Sequence, residues 1–532
     1  MKIPRKKELL ELQKKYRTDK KIGEICGVPA RLVTYWRTKK KIPAYSFPKY
    51  SEEKIRELWE RFGDDAKAGE ELNISKAGFR QWRRRYSIEH KPLQLRLEQL
   101  ELPLPDAFRK KNSRRETIIQ KLLAKKAGLK KVEIDEIVFV EPDLVISCDD
   151  TAEVLHHYEK TGAEKIWDLQ KTVIALDQNS DLISKNGYMA PRRATREFAR
   201  KNKIRNFFDV GSGISHHLIL ENGLIQPSQL ILGTESHSLI YGSLGALAMR
   251  VSPIDIASIW ASGRVWLRIP QTIRVNLNGH LNKGVSARDI ALRLMNDPQM
   301  SDTNYRVLEF YGPVIDAMPV YERMALAGLM EKLGCKAALI PCDDVAVRFM
   351  RKLGKGKPNA ISADHDACYS SEITIDATGL VPQVGMIRGK GFSQPIEEVS
   401  GKKIEQIILG CCTCGKIEDL ELAAKILRGR QVNRDVRVYI VPATRKVYTD
   451  AIERGIIKSL IESGCDIMNP GCGSCIELHK SYLEPGDRLL STAECRLNHG
   501  DGSADNVYLG STATAAATAL EGVIADPRRY LK

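Results

Sequence analysis

Two stretches decide how this chain of 532 residues folds: Leu409-Gly-Cys-Cys-Thr-Cys-Gly-Lys416 and Asn469-Pro-Gly-Cys-Gly-Ser-Cys475. Both set thiols among glycines, which permit the compact backbone that converging metal ligands need. Six of the twelve cysteines lie between Cys411 and Cys475. In a cytosolic chain, such clustering favours a metal site over disulfides. The CxxC motif at residues 472–475 is by itself compatible with zinc, redox or iron–sulfur chemistry.

The composition is that of a soluble globular protein, with 43 % hydrophobic and 28 % charged residues. No apolar run approaches the roughly 18–20 residues that a membrane span needs. The N-terminus has the charge of a signal peptide, but no apolar segment follows it. We therefore expect a cytoplasmic protein of two to four domains.

The net charge of +16 is concentrated near the N-terminus. Residues 1–131 contain 36 Lys and Arg against 17 Asp and Glu, whereas the rest of the chain contains 47 against 50. A basic region attracts polyanions because it releases their counterions. A solvated, lysine-rich surface is the alternative interpretation.

The basic region contains an internal repeat with an offset of 46 residues. Residues 21–37 align without gaps on residues 67–83, and Lys, Gly, Glu, Trp and Arg coincide. Each copy predicts a short helix, a turn at Gly27 or Asn73, and a second helix followed by basic residues. We interpret residues 1–91 as tandem helix-turn-helix units that bind DNA or RNA. A pair of helical hairpins that only contact protein is the alternative.

The sequence changes character after the basic region. Residues 92–115, which contain Pro103 and Pro105, are predicted to be a linker. From residue 116, apolar runs such as Ile137–Val140 alternate with amphipathic helical stretches, which is an α/β pattern.

Several further stretches resemble the aconitase family. They are Val210-Gly-Ser-Gly-Ile-Ser-His-His-Leu-Ile-Leu-Glu-Asn222, Leu232-Gly-Thr-Glu-Ser-His-Ser-Leu-Ile-Tyr-Gly-Ser-Leu-Gly-Ala-Leu247, Gly284-Val-Ser-Ala-Arg-Asp-Ile290 and Leu308-Glu-Phe-Tyr-Gly312. Together with the two cysteine stretches, they follow the order and spacing of the large subunits of 3-isopropylmalate dehydratase and homoaconitase. The resemblance covers the chain from about residue 116 to the end.

The resemblance implies three related α/β/α domains around a [4Fe–4S] cluster, preceded here by a small all-α N-terminal region. Domains one and two are expected in residues 116–400, and domain three, with most of the cluster-binding residues, in residues 401–532. In this branch of the family, the swivel domain that closes the site is a separate small protein. We therefore expect a small-subunit partner and a small hydroxy-acid substrate.

The same resemblance implies that Cys412, Cys472 and Cys475 hold the cluster. Three thiolates for four irons leave one iron open as a Lewis acid toward a substrate hydroxyl and carboxylate. Cys411 and Cys414 stand where the family usually has Ser and Asn. A thiolate from either would cap the fourth iron and leave a structural or sensing cluster; otherwise both thiols point away.

The catalytic residues implied by the resemblance are histidines and carboxylates. His216 and His237 match active-site histidines, and Asp177 matches the Asp of an Asp–His dyad. Ser236 precedes His237 as in the family, and Glu235 stands in place of an Asp. A histidine beside a carboxylate is a suitable proton carrier for adding or removing water.

Other positions depart from the family pattern. The His of the dyad is Gln178, whose amide carries no proton at neutral pH. A metal-site Asn is Gly328, and a Glu is Lys332, which reverses the charge. The substrate-binding segment is replaced by residues 493–501, where Arg496 alone remains as a carboxylate clamp.

Two functions fit this pattern. The first is an iron–sulfur hydro-lyase of the large-subunit type that dehydrates or isomerises a small hydroxy acid other than the standard family substrates. The alternative is a catalytically altered, cluster-dependent regulator that binds nucleic acid through residues 1–91.

Overall fold

A computed structural model describes residues 4–16, 18–43, 50–62, 64–86, 88, 115–176, 190–356, 358–386, 393–472, 484, 486–493 and 506–531. The chain forms two compact units, Met1–Lys111 and Asn112–Lys532. Within the described ranges, no helix combines the length and apolar character that crossing a bilayer requires.

The N-terminal unit is helical and contains two three-helix copies. Its helices are α1 Lys6–Tyr16, α2 Asp19–Cys26, α3 Ala30–Lys39, α4 Glu52–Phe62, α5 Asp65–Glu70 and α6 Lys76–Arg85. The repeat predicts α2, α3, α5 and α6, whereas the leading helices α1 and α4 lie outside the aligned residues. Each copy has a core of its own.

Local backbone chemistry sets the turn between the last two helices of each copy. Gly27 and Asn73 both take positive φ, at 63° and 55°, which glycine and asparagine tolerate best. The Ser75 hydroxyl then accepts a hydrogen bond from the Gly78 amide at 3.2 Å and caps α6.

The second unit is built on three main sheets, and each holds a run of parallel strands. The strands are β1 Ile137–Val140, β2 Leu144–Ser147, β3 Thr172–Ala175, β4 Asn206–Phe208, β5 Leu230–Gly233, β6 Leu247–Arg250, β7 Val265–Arg268, β8 Thr272–Asn278, β9 Val307–Tyr311, β10 Ala337–Leu339, β11 Ser371–Asp376, β12 Gln383–Met386, β13 Ser393–Pro395, β14 Gln406–Gly410, β15 Arg437–Val441, β16 Asp466–Ile467, β17 Leu489–Ser491 and β18 Val507–Leu509.

Helices connect these strands, as parallel pairing requires. They are α7 Ile118–Ala127, α8 Thr151–Thr161, α9 Ala190–Lys201, α10 Ser215–Glu221, α11 Pro253–Ser262, α12 Ala287–Met295, α13 Pro313–Ala317, α14 Val320–Leu329, α15 Asp344–Lys352, α16 Ile396–Val399, α17 Cys411–Cys414, α18 Ile417–Leu427, α19 Arg445–Glu453, α20 Ile456–Glu462 and α21 Thr512–Glu521. A long 3-10 helix, Ser236–Leu244, follows β5.

The first sheet has the order β4-β3-β2-β5-β6 and the second β10-β9-β8-β11, and both are parallel throughout. The third has the order β13-β12-β18-β17-β14-β15-β16, in which only β12 pairs antiparallel with its neighbours. Strands β1 and β7 form a separate antiparallel pair. The expected α/β fold class is confirmed.

The loop before α10 joins the first sheet to the third. The Ile214 amide donates to the Ala443 carbonyl at 2.9 Å, and the Thr444 hydroxyl donates to Glu221 at 2.8 Å. A Cβ on Gly213 would lie 2.6 Å from the Thr444 Cα, so only glycine fits this approach. These contacts bring the start of α10 to the carboxyl ends of β14 and β15, where open α/β sheets place their ligands.

The N-terminal unit contains a buried ion pair whose loss has a measurable cost. Arg83 and Asp65 are 5 % and 3 % exposed, and Arg83 Nε donates to Asp65 at 2.8 Å. Although burial opposes it, hydrogen bonding to Arg83 and Arg80 lowers the pKa of Asp65. Asp65→Asn leaves an uncompensated buried guanidinium, and we expect it to cost about 3–5 kcal/mol.

Hydrogen exchange on the whole protein measures this cost as faster exchange of the amides in residues 65–85. The matched control is Asp19→Asn in the first copy. The side chains of Asp19 and its partner Arg37 are 21 % and 12 % exposed, so water reaches this pair and its loss should cost less. Equal effects of the two substitutions would contradict burial as the cause.

Candidate functional site

The first cysteine stretch forms a tight turn at the carboxyl end of β14. Gly410 takes φ of +116°, and a Cβ there would lie 2.1 Å from the Val441 carbonyl oxygen. A Cβ on Gly415 would lie 2.6 Å from the Cys411 carbonyl oxygen. Cys411 itself has φ of +63°, a strained conformation for a residue with a side chain. The glycines and the strained cysteine together fold the thiols into one helical turn.

Two neighbouring histidines bind the backbone of this turn. His216 Nε2 and His217 Nε2 each lie 2.8 Å from the carbonyl oxygen of Cys412. Both rings start α10, and they are 1 % and 4 % exposed. Since a carbonyl oxygen only accepts, both Nε2 atoms carry protons.

The hydrogen bond to Cys412 and the buried surroundings fix the tautomer and the protonation state of His216. Burial and the neighbouring His237 lower the pKa of His216. The pKa of His217 lies well below its usual value because of burial, His216 and Lys416. A neutral His216 with its proton on Nε2 exposes an acceptor lone pair at Nδ1. Among the described residues, this buried Nδ1 has no hydrogen-bond partner.

His237 forms the opposite type of group, a charged pair with Glu235. His237 Nδ1 lies 2.9 Å from Glu235 Oε1, and its backbone amide donates to Glu235 Oε2 at 2.5 Å. Burial opposes charge on the ring, but Glu235 and the Cys412 side chain hold the pKa of His237 well above its usual value. Burial likewise opposes charge on the carboxyl, yet His237 and His216 lower the pKa of Glu235 to about 2. The Ser236 hydroxyl donates to Glu235 at 3.2 Å.

The three titratable groups form one cluster. Potential ligand atoms of His216, Glu235 and His237 all lie within 4.8 Å of one another, and the two rings are 5.3 Å apart. Their donor types would also suit a single metal ion. The hydrogen bond from His237 Nδ1 to Glu235 instead supports an acid–base role, with one neutral and one protonated imidazole side by side.

The thiols of the described residues fit an iron–sulfur cluster. Cys412 is 3 % exposed, and Cys472 packs against the same group of buried residues, which includes Ile214 and Tyr439. Thiolates are the soft donors that iron–sulfur clusters use, and buried surroundings exclude solvent from such a group. His237 forms a side-chain hydrogen bond with Cys412, so the acid–base cluster adjoins the thiols.

Cys414 faces a different environment. Its Sγ lies 3.8 Å from Arg288 Nη1, which also donates to the Thr413 hydroxyl at 2.7 Å. Cys414 lines a cavity of about 520 Å³ whose lining does not include His216, His237 or Cys412. Burial raises the pKa of the Cys414 thiol to about 11, so it stays protonated at neutral pH.

Two of the departures from the family pattern have structural consequences. At Gly328 on α14, an added Cβ would lie 2.6 Å from Ile240 Cγ1 and 3.9 Å from Thr413 Cγ2. Ile240 therefore fills the space next to Gly328, beside the cysteine turn. Lys332 is exposed in the 3-10 turn after α14, and Glu331 pairs with Arg250 at 3.4 Å.

The structure brings His216, Glu235, Ser236, His237 and Cys412 together, and Cys472 packs near the turn. The remaining residues singled out from the sequence lie outside the described residues; they are Asp177, Gln178, Cys475 and Arg496.

Sequence reasoning missed His217 and Arg288, both of which bind the cysteine turn. The adjacent His-His pair was the available signal for His217. Arg288 stood in the sequence only as part of the Gly284–Ile290 stretch, and its partners Thr413 and Cys414 lie far along the chain, so its contact with the turn was not foreseen.

Comparison with known proteins places these observations in a family. The model of the aconitase family (aconitate hydratase) matches residues 120–399 and 388–522. The 3-isopropylmalate dehydratase large subunit 1 of Methanopyrus kandleri is 34 % identical over 420 residues, which are 78 % of this chain and 99 % of the relative. Large subunit 1 of the same enzyme from Thermotoga maritima is 35 % identical, with the same shares covered.

Among solved structures, Thermococcus kodakaraensis aconitase X in its holo-form is similar, with a TM-score of 0.43 and 15 % identity. The aligned residues are 67 % of this chain and 83 % of the aconitase X chain. The family match and the two dehydratase relatives span most of the second unit. The chain belongs to the aconitase family, as a hydro-lyase of the large-subunit type whose cofactor is a [4Fe–4S] cluster.

Proposed function

We propose that the chain dehydrates or isomerises a small hydroxy acid in complex with a separate small subunit, and that its substrate differs from those of its named relatives. The observation that carries this proposal is the pairing of a neutral His216 with a charged His237–Glu235 pair beside Cys412. Dehydration needs a donor at the leaving hydroxyl and acceptors that hold it in place. These three side chains provide both.

Each residue has a specific task in this proposal. Cys412, Cys472 and Cys475 hold the [4Fe–4S] cluster, which when bound supplies a Lewis acid at the substrate hydroxyl. His237 keeps its bond to Glu235, exchanges its hydrogen bond with Cys412 for one to the substrate hydroxyl and donates that proton, so that the hydroxyl leaves as water. His216 Nδ1 accepts a hydrogen bond from it.

Glu235 keeps His237 charged until the transfer. A base of the small subunit removes the proton from the carbon next to the carboxylate, and solvent returns a proton to His237. Asp177, which is outside the described residues, is the further catalytic carboxylate of this proposal.

A changed substrate is supported by the altered surroundings of the cysteine turn. Relatives of this type hold an amide where Ile240 now fills the space beside Gly328. Arg496 is the one clamp for a substrate carboxylate that remains in residues 493–501, and Gln178 replaces a proton-carrying His. A clamp of one arginine suits an acid with fewer or differently placed carboxylates.

The activity test uses the whole chain, loaded with its cluster and combined with the small subunit encoded in the same genome. A panel of hydroxy acids is followed by the ultraviolet absorbance of an unsaturated acid and by deuterium uptake at carbon in D₂O. Deuterium uptake detects even a reversible reaction with little net product. Absence of both signals across the panel, with an intact cluster, would contradict the proposal.

The ligand assignment predicts selective loss of iron. Replacing Cys412, Cys472 or Cys475 with Ser removes a thiolate that one iron needs, so we expect loss of bound iron and of visible absorbance in each variant. Cys414→Ser is expected to keep both, because its sulfur contacts Arg288.

The control for the cysteine variants is Cys465→Ser, a buried cysteine in the core of the third sheet. If Cys465→Ser lost iron as fully as Cys412→Ser, general destabilisation rather than ligation would explain the losses. Loss of iron in Cys414→Ser would assign a capping role to that thiol.

The turn at Gly410 predicts a second route to cluster loss. Gly410→Ala forces a Cβ to 2.1 Å from the Val441 oxygen at a positive φ, which we expect to cost about 1–3 kcal/mol or more and to lower the iron content. Gly401→Ala is the control, because Gly401 also has a positive φ, +87°, but an added Cβ there would have no atom within 4 Å. Iron analysis and urea unfolding should separate the two variants; equal iron content would contradict the role of the close contact.

The acid–base assignment predicts a loss of rate without loss of iron. His237→Gln removes the proton donor, and we expect turnover to fall by about 10²- to 10⁴-fold. The exposed His365 offers the control, since His365→Gln should keep full activity. A His237→Gln protein with unchanged kcat and a full cluster would show that the proton comes from another group.

A further inference from the structure

The two copies of the N-terminal unit share their internal contacts at an offset of 46 residues. Arg37 Nε lies 3.2 Å from Asp19, and Arg83 Nε lies 2.8 Å from Asp65. Each arginine also donates Nη1 to the carbonyl oxygen five residues later, at 2.9 and 3.0 Å. The same arginine therefore fixes the last helix of each copy to the helix before it.

A glycine in each copy lets these two helices approach closely. A Cβ on Gly23 would lie 2.5 Å from the Val28 oxygen, and one on Gly69 would lie 2.7 Å from the Ile74 oxygen. Helices α2 and α3 are joined by three residues, and α5 and α6 by five. Two short helices in close contact through a glycine, joined by a tight turn, have the build of a helix-turn-helix.

The last helix of each copy presents an exposed outer face without acidic residues. Neither α3 nor α6 contains an Asp or Glu. At the helical spacing i, i+3, i+4 and i+7, the exposed residues are Arg31, Thr34, Tyr35 and Thr38 in α3 and Ala77, Arg80, Gln81 and Arg84 in α6. Exposed cations also end both helices, at Lys39 and Arg85.

The acidic residues of the second copy lie mainly on other helices. Exposed glutamates at 52, 53, 57 and 60 belong to α4. Asp65 faces inward, where it pairs with Arg83 and also with Nε of the half-exposed Arg80, which leaves Arg84 and Arg85 as the exposed arginines of α6 without this ion pair. This separation of charge gives the face of α6 a strongly positive sign that the copy as a whole does not have.

We propose that the N-terminal unit binds double-stranded DNA, with the outer faces of α3 and α6 in the major groove. This function is separate from the hydro-lyase activity and rests on different residues. The major groove is about 12 Å wide and admits one α-helix. Arg, Gln, Thr and Tyr on the outer faces reach base edges and phosphates, and the cations at the helix ends bind phosphates.

The test uses the full chain with its cluster and a labelled, mixed-sequence DNA duplex, and it follows fluorescence anisotropy over a series of salt concentrations. The test variant combines Arg31→Gln with Arg84→Gln, one substitution on each outer face. If each removes one phosphate or base contact, affinity falls about tenfold or more and the slope of log K against log salt falls by about 2.

The matched control is Lys54→Gln combined with Arg56→Gln, which removes the same charge from exposed positions on α4 of the same unit. This control should bind DNA like the unaltered protein, apart from a small loss due to net charge. Circular dichroism and hydro-lyase turnover should be unchanged in both double variants. If the control weakens binding as much as the test variant, net charge alone explains binding and the proposal fails.

Competition experiments separate DNA from other polyanions. Duplex RNA, single-stranded RNA and polyglutamate are added at equal charge to the labelled complex. Weak competition by all three supports the proposal, because A-form RNA hides the major groove from a helix. Equal or stronger competition by an RNA or by polyglutamate would overturn it, as would no measurable binding to DNA at low salt.

Selection from random duplexes adds a readout of sequence preference. Two related helix faces predict enriched duplexes with two related motifs, and Arg84→Gln should relax the preference in only one of them. Enrichment of no motif would reduce the interaction to nonspecific binding and contradict placement of the helices in the major groove.

Discussion

One backbone oxygen links the cluster of His216, Glu235 and His237 to the cysteine turn. The Cys412 carbonyl accepts hydrogen bonds from both His216 and His217, so both of its lone pairs are used by α10. These bonds set the tautomer of His216 and leave its Nδ1 as the acceptor, and they hold α10 against the turn after β14. Any change that moves the turn therefore also changes the position of His216 and the hydrogen bond that fixes its proton on Nε2.

The α/β fold followed from the sequence because it rests on local patterns, such as the buried apolar strand Leu230–Gly233. The cysteines among glycines and the Glu-Ser-His stretch at 235–237 were ambiguous one by one, and only their order along the chain, as a resemblance to a family, predicted that they lie close together. What the sequence did not show depends on contacts between distant segments. Arg288 binds Thr413 across 125 positions, and no local pattern records that. Similarly, α1 and α4 lie outside the aligned repeat, and each is buried against the other two helices of its copy.

The N-terminal unit shows why a charge count alone was insufficient. The total charge predicted that the unit binds a polyanionic partner. Arg37 and Arg83, however, form ion pairs inside the unit, and each pair cancels a charge that a partner would otherwise meet. The charge that a partner can meet belongs to the exposed residues of α3 and α6, the two helices that these ion pairs hold in place. A buried pair in such a copy gives little net stability compared with an apolar contact, and its best-attested use is to specify one arrangement of the helices.

The close approach of Ile240 to Gly328 couples these two positions. Ile240 is branched at Cβ and has few alternative rotamers, so it does not readily make room for a larger residue at 328. A side chain at 328 and an isoleucine at 240 therefore compete for the same space, and enlarging the first requires shrinking the second. The volume beside the cysteine turn is thus set by a pair of residues, neither of which can change its size alone.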